Sequence, residues 1–187
     1  MNIFHAHYHY LKESASILLK QCLDGNNDAV ERFHRLAPFA GLSKENNNLL
    51  ETLQLKDAFS LLALESGYAS WNELKSALDH AAETSSLAEI SDQFYPKGFT
   101  TYWNIWFAKY SQAKKVLVEA LSTKKKMFLL PFKNQFFLVE EHFVDSIGIP
   151  HTLPEWKTIG NDWVHPNHVK AWLVLNEKYE KAAANRK

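Results

Sequence analysis

Cysteine is nearly missing from this chain: Cys22 is the only one among 187 residues. One thiol closes no intramolecular disulfide and builds no cysteine zinc cluster, so packing alone must hold the fold. Six glycines and six prolines leave little room for a loop that cradles phosphate. There is no G-x-G-x-x-G, Walker loop, G-x-S-x-G or H-E-x-x-H, which removes the usual carriers of dinucleotide binding, phosphoryl transfer, serine hydrolysis and zinc proteolysis. No cofactor is expected. No apolar run approaches the roughly 18 to 20 residues of a membrane span. The opening "NIFHAHYHYLKE" lacks the basic start, apolar centre and small-residue cleavage site of a secretory signal. A cytoplasmic protein with no membrane partner is the expectation.

Net charge is absent too, but only in the sum. Residues 1–90 hold 7 Lys/Arg against 12 Asp/Glu, a net of −5, while residues 91–187 hold 14 against 9, a net of +5. The front half is acidic and the back half basic, which fits docking of the halves or a basic binding face on the second. What the chain does have is apolar material: 46% of its residues are hydrophobic, enough to exclude disorder and to build one domain or two small ones.

The first half reads as helices. Phe4, Tyr8, Leu11, Ala15, Leu18, Leu19, Cys22 and Leu23 recur at helical spacing, with Cys22 as a small apolar core residue. Gly25 supplies a stop and Asn26 a new cap, leading into "DAVERFHRL", which ends before Pro38. Ser43 is placed to cap a third helix over "KENNNLLETL", and Leu55–Ser66 forms a fourth. At "LESGYASWNEL" Gly67 can end that fourth helix in the left-handed conformation. Ser70 with Glu73 three residues on then makes a capping box for a helix from Trp71 towards Ala82 that buries Trp71, Leu74 and Leu78.

This corner has the outline of a DNA-reading helix-turn-helix. The exposed positions of its second helix, Asn72, Glu73, Lys75, Ser76 and Asp79, offer one lysine against two acids, which would repel a phosphate backbone. Packing is the better reading.

The stretch "LKDAFSLLALESGYASWNELKSAL", with the earlier "DGNNDAVERFHRL", resembles a helical module found at the front of assorted bacterial proteins, some with ankyrin repeats. The resemblance spans residues 1 to about 80 and departs from that pattern at Asn26 and Asn27, where an Asp-Pro cap would stand. It implies a helical packing unit in a bacterial protein and implies no catalytic residue. The second half resembles no family.

After "AAETSSLAEISDQFYPKGF" the period changes from helical to two. In "TYWNIWF", Tyr102, Asn104 and Trp106 share one face and Trp103, Ile105 and Phe107 the other, predicting a strand covered on both sides. Ser111 is expected to cap a helix over "QAKKVLVEAL". "KMFLLPF" and "QFFLVE" follow as two strands joined near Lys133 and Asn134, with Asn134 tolerant of positive φ and Pro131 pushing the first strand to a sheet edge. Helices are then predicted over Glu140–Ile147, stopped by Gly148, from a Thr152/Glu155 capping box to Gly160, and over "HVKAWLVLNEKYEKAA". The fold class is therefore α+β, with an acidic helical domain over 1–90 and a basic α+β domain with a few-stranded sheet over 91–187.

Three functional readings compete. The first is a non-catalytic protein–protein interaction module, recognising its partner through the hairpin or the region of Trp156, Trp163 and Trp172. In the second, Lys124, Lys125, Lys126 and Lys133, interleaved with Phe132 and its neighbouring aromatics over 124–139, meet phosphates while the rings stack on bases of RNA or single-stranded nucleic acid. The third is a small enzyme with a pocket at Asp162, Trp163 and His165. Histidines at 5, 7 and 9, and at 142, 151, 165 and 168, lack a fixed third and fourth ligand, so no metal is expected. Catalytic residues are named by none of the motifs, and protein binding is the preferred reading.

Overall fold

The computed structural model of the chain describes residues 2–40, 52–85, 94–95 and 102–185. Two compact units emerge, one over 5–79 and one comprising 1–4 with 80–187. The division falls inside two helices, α1 (Ile3–Leu23) and α4 (Trp71–Thr84). The fold is α+β with a helical N-terminal part.

In the helical unit α1 is followed by α2 (Asn27–Phe33), a 3-10 turn (Ala37–Phe39), α3 (Leu55–Glu65) and most of α4. Gly25 turns the chain with φ +81°, and the Asn26 side chain accepts the Ala29 N–H at 3.0 Å, so stop and cap sit where the sequence predicts them. Ala15, Leu18 and Cys22 of α1, Phe33 of α2 and Leu61 of α3 share one core. Cys22 is fully buried, and burial pushes its thiol up from the ordinary value. Arg32 grips Glu65 with two nitrogens at 2.9 and 2.6 Å, a fork that joins α2 to the end of α3. The helix predicted from Ser43 lies outside the described residues except for Thr52 and Leu53.

The α3–α4 corner is built by capping. Gly67 has φ +88°, and the Tyr68 N–H donates back to the Ala63 carbonyl at 2.9 Å. Ser70 Oγ accepts the Glu73 N–H at 3.2 Å, while Glu73 reaches one residue further back than predicted, to the Ala69 N–H at 3.3 Å. Leu74 and Leu78 are fully buried. Trp71 differs from expectation: it is half-buried, its ring stacked on Phe59 at 4.6 Å and against Tyr8 at 5.5 Å. Asn72, Glu73, Lys75 and Ser76 face solvent.

The α+β unit runs β1 (Asn104–Phe107), α5 (Tyr110–Ser122), β2 (Met127–Phe132), β3 (Gln135–Glu140), α6 (Glu141–Ser146), α7 (Pro154–Thr158) and α8 (Val169–Ala184). The strands form an antiparallel sheet in the order β1-β3-β2, with Leu130 and Trp106 both opposite Phe137. Period-two alternation then sorts the side chains. Leu129, Leu138 and Ile105 pack on Ala113 and Leu117 of α5. On the other face Phe137 meets Phe143 of α6 at 5.6 Å, and Phe128 meets Trp156 of α7 at 4.8 Å.

Pro131 lies on an edge strand, as its missing N–H predicts. On the outer side of β2 the Leu129 N–H donates to the Asn161 carbonyl, and the Trp163 N–H donates to the Leu129 carbonyl, both at 2.9 Å.

Several local expectations change. β1 is the opposite edge of the sheet, not a covered strand, and Trp103 just before it is 79% exposed. α5 starts at Tyr110 after Lys109 with no side-chain cap, so Ser111 lies inside the helix. α7 opens on Pro154 in place of the Thr152 box, the ring already fixing the first helical φ. Lys133, not Asn134, takes the positive φ at the hairpin, +50°. No helix among the described residues is long and apolar enough to cross a membrane.

Candidate functional site

The lysines do not converge. Lys124, Lys125 and Lys126 occupy the turn before β2 and Lys133 the turn after it. A six-residue strand separates them, roughly 20 Å at the usual rise per residue. Lys124 takes φ +61° to end α5, Lys126 lies 3.9 Å from Glu141, and the Lys133 ammonium sits 5.3 Å from the centre of the Phe132 ring. Phe128 and Phe137 are core and Phe132 and Phe136 half-buried, so 124–139 is a core hairpin with lysines at both ends, not the interleaved platform that the nucleic-acid reading requires.

Trp156, Trp163 and Trp172 require a correction as candidate binding residues. They are 1%, 1% and 0% exposed. Trp163 packs between Trp156 at 5.7 Å and Trp172 at 6.3 Å, and Trp172 covers Phe4 at 4.9 Å. Indoles at this depth stabilise the core and offer no surface to a partner.

Asp162 and His165 do come together with other groups. Asp162 is fully buried. Its Oδ2 accepts from the Tyr110 hydroxyl at 2.7 Å and the Lys114 ammonium at 2.8 Å, and its Oδ1 accepts the backbone N–H groups of Val164 and His165, each at 3.0 Å. A carboxylate offers about four lone-pair positions, and these bonds use them, leaving none for a substrate. The His165 ring stands edge-on to Tyr110 at 4.4 Å. Burial pushes its imidazole below the ordinary value; the Asp162 charge opposes this and the Lys114 charge adds to it. The cluster is a strut that ties α5 to the 161–165 segment. His168 is also engaged, its Nδ1 capping α8 by accepting the Ala171 N–H at 3.1 Å. Among the described residues no three His, Cys, Asp or Glu side chains are grouped to hold a metal ion.

An open groove of about 760 Å³ lies elsewhere, lined by Tyr102, Trp103, Glu140, His142, Phe143, Asp145 and Ser146. The chain builds it by passing from strand to helix without a loop: β3 ends at Glu140 and α6 begins at Glu141. Phe143 and Val144 turn inward to the sheet, which leaves His142 and Asp145, three residues apart, on the outer face. Tyr102 stands edge-on to Phe143 at 5.6 Å.

Asp145 is held firmly. Its Oδ1 accepts the His151 N–H at 2.7 Å, and the His151 Nδ1 lies 2.8 and 3.0 Å from the two carboxylate oxygens. Burial pushes this carboxyl up, but the hydrogen bonds from His151 and the charges of His151 and His142 outweigh it, leaving the group below its ordinary value. Among the described residues the lining carries two carboxylates and no lysine or arginine, within a half of the chain whose net charge is +5.

Sequence reasoning missed this groove. Glu140, the last residue of β3, joins Asp145 on the groove lining. The signal available was the inward pair Phe143 and Val144 against polar positions 142 and 145. The chain matches no family model, no curated protein and no solved structure.

Proposed function

We propose that the protein works by binding another protein, without catalysis, and that the Tyr102–Trp103 and Glu140–Ser146 groove is its contact surface. The observation that carries this reading is Trp103: a large indole 79% exposed at the mouth of a 760 Å³ groove. Tryptophan and tyrosine dominate the energetics of protein contacts because they bury much area with few rotamers to lose. The groove's carboxylates disfavour a phosphate backbone, and the divided lysines give it no continuous track. A reducing cytoplasm suits the single unpaired Cys22. The helical unit, with its resemblance to modules of bacterial proteins, serves in this reading as a packing scaffold.

Affinity capture with the wild type, Trp103→Ala and a Lys124, Lys125 and Lys126 triple-alanine variant tests this. A partner protein retained by the wild type and the lysine variant, and lost from Trp103→Ala at unchanged melting temperature, is expected. Retention by Trp103→Ala with loss from the lysine variant overturns it in favour of the hairpin, and nuclease-sensitive capture points to nucleic acid.

A further inference from the structure

We infer that the groove takes an arginine side chain, presented by an extended segment of the partner; this rests on reading the groove as the contact surface. Charge selects the ligand's sign. Glu140 is exposed and among the described residues makes no ion pair, and Asp145, on the same lining, remains 38% exposed. An apolar side chain seated there would strip water from two carboxylates without replacing it, which is unfavourable. An anion is repelled. A cation satisfies both.

Shape selects arginine over lysine. Tyr102 and Trp103 line the groove, and Trp103 is 79% exposed; an exposed indole attracts a cation brought within about 6 Å and stacks on a planar guanidinium better than on an ammonium. The Asp145 carboxylate is fixed by the His151 backbone N–H at 2.7 Å and by its imidazole at 2.8 Å. A carboxylate of set orientation rewards a rigid fork of donors more than a rotating ammonium. His151 is thus a positioning residue. The groove volume, about 760 Å³, exceeds one side chain, so it also seats residues flanking the arginine, as an extended segment provides.

The test is a titration of the untagged full chain, followed by amide NMR, with the peptide Ac-Gly-Arg-Gly-NH2 and its lysine and citrulline counterparts. Citrulline keeps the planar shape and loses the charge. Shifts confined to residues 102–103 and 140–151 are expected, with the lysine peptide a few-fold weaker and the citrulline peptide about ten-fold weaker or more. Glu140→Gln and Trp103→Ala should each weaken the arginine peptide by about five- to ten-fold at unchanged melting temperature. Equal binding of the citrulline peptide, shifts outside the groove, or no binding of the arginine peptide overturns the inference. If any of these occurs while Trp103→Ala still loses its captured partner, the arginine assignment falls and the contact surface stands. If the arginine peptide binds as expected but Trp103→Ala keeps its partner, the contact surface falls and the cation site stands.

Discussion

Asp162 and Asp145 are the same residue put to opposite ends. Asp162 is wholly buried, with its lone pairs filled by Tyr110, Lys114 and two backbone N–H groups. Asp145 is held on one side by His151 and is 38% exposed on the other. Trp163 and Trp103 repeat the contrast at 1% and 79% exposure. Bonding that is complete makes a strut, whereas bonding that orients a group and leaves it open to solvent makes a site.

Truncating the tryptophans is the largest blow to this contrast. Trp163→Ala should cost about 3–5 kcal/mol, the usual penalty for emptying a buried ring, and Trp103→Ala no more than about 0.5 kcal/mol, as for an exposed side chain. Chemical denaturation of both variants measures it, and similar losses would erase the distinction. Next come the aspartates. Asp162→Ala strands the Lys114 ammonium and two N–H groups, a loss of about 3–5 kcal/mol for a fully buried pair. The value should fall near the lower end, because Lys114 is 31% exposed and can turn to water. Asp145→Asn should change stability by less than about 1 kcal/mol while weakening whatever the groove holds.

Acid separates the two regions more gently. His165 and His168 both titrate lower in the folded chain, first because burial disfavours the imidazolium. Between the folded and unfolded values the unfolded chain binds more protons, so stability falls as pH drops below about 6.5. Protonating His168 also removes the acceptor that caps α8. Asp145 is shifted down from 3.8, so its contribution is intact above the unfolded value and is lost only as pH falls below about 4. Melting curves from pH 8 to 4 should show the first loss, and His165→Gln should flatten it. An unchanged slope in that variant would remove His165 from the account. The smallest effect is at Lys124, whose φ of +61° suits glycine: Lys124→Gly should shift stability upward by no more than about 1 kcal/mol and leave the groove untouched.

Local chemistry was legible where partners are close in sequence. Gly25 with Asn26, Gly67 with Tyr68, and Ser70 with Glu73 each settle a helix end within four residues, and Pro131 fixes an edge because it lacks a donor wherever it is placed. The order of elements in the second half and the α+β class follow from the same local periodicities. Contacts that depend on distant residues were not legible. Asp162 finds Tyr110 and Lys114 from 52 and 48 residues away, and without them it reads as a catalytic acid beside His165. Tryptophans at 156 and 172 carry no mark of depth, since a helix shows which residues share a face but not what covers it, and Trp163, between helices, has no periodicity to read. The groove escaped because its two walls, 102–103 and 140–146, are far apart in sequence and are brought together by the β1–β3 pairing and the Tyr102–Phe143 contact.

One consequence of the backbone bonds at Leu129 concerns how the sheet could be extended by other molecules. The 161–163 segment occupies the outward N–H and C=O of Leu129, and two residues on, where the next outward donor of β2 would stand, Pro131 has none. A foreign strand arriving on that side meets one position already taken and another with nothing to give, so this edge of the sheet is closed to templated growth and the aggregation that follows from it.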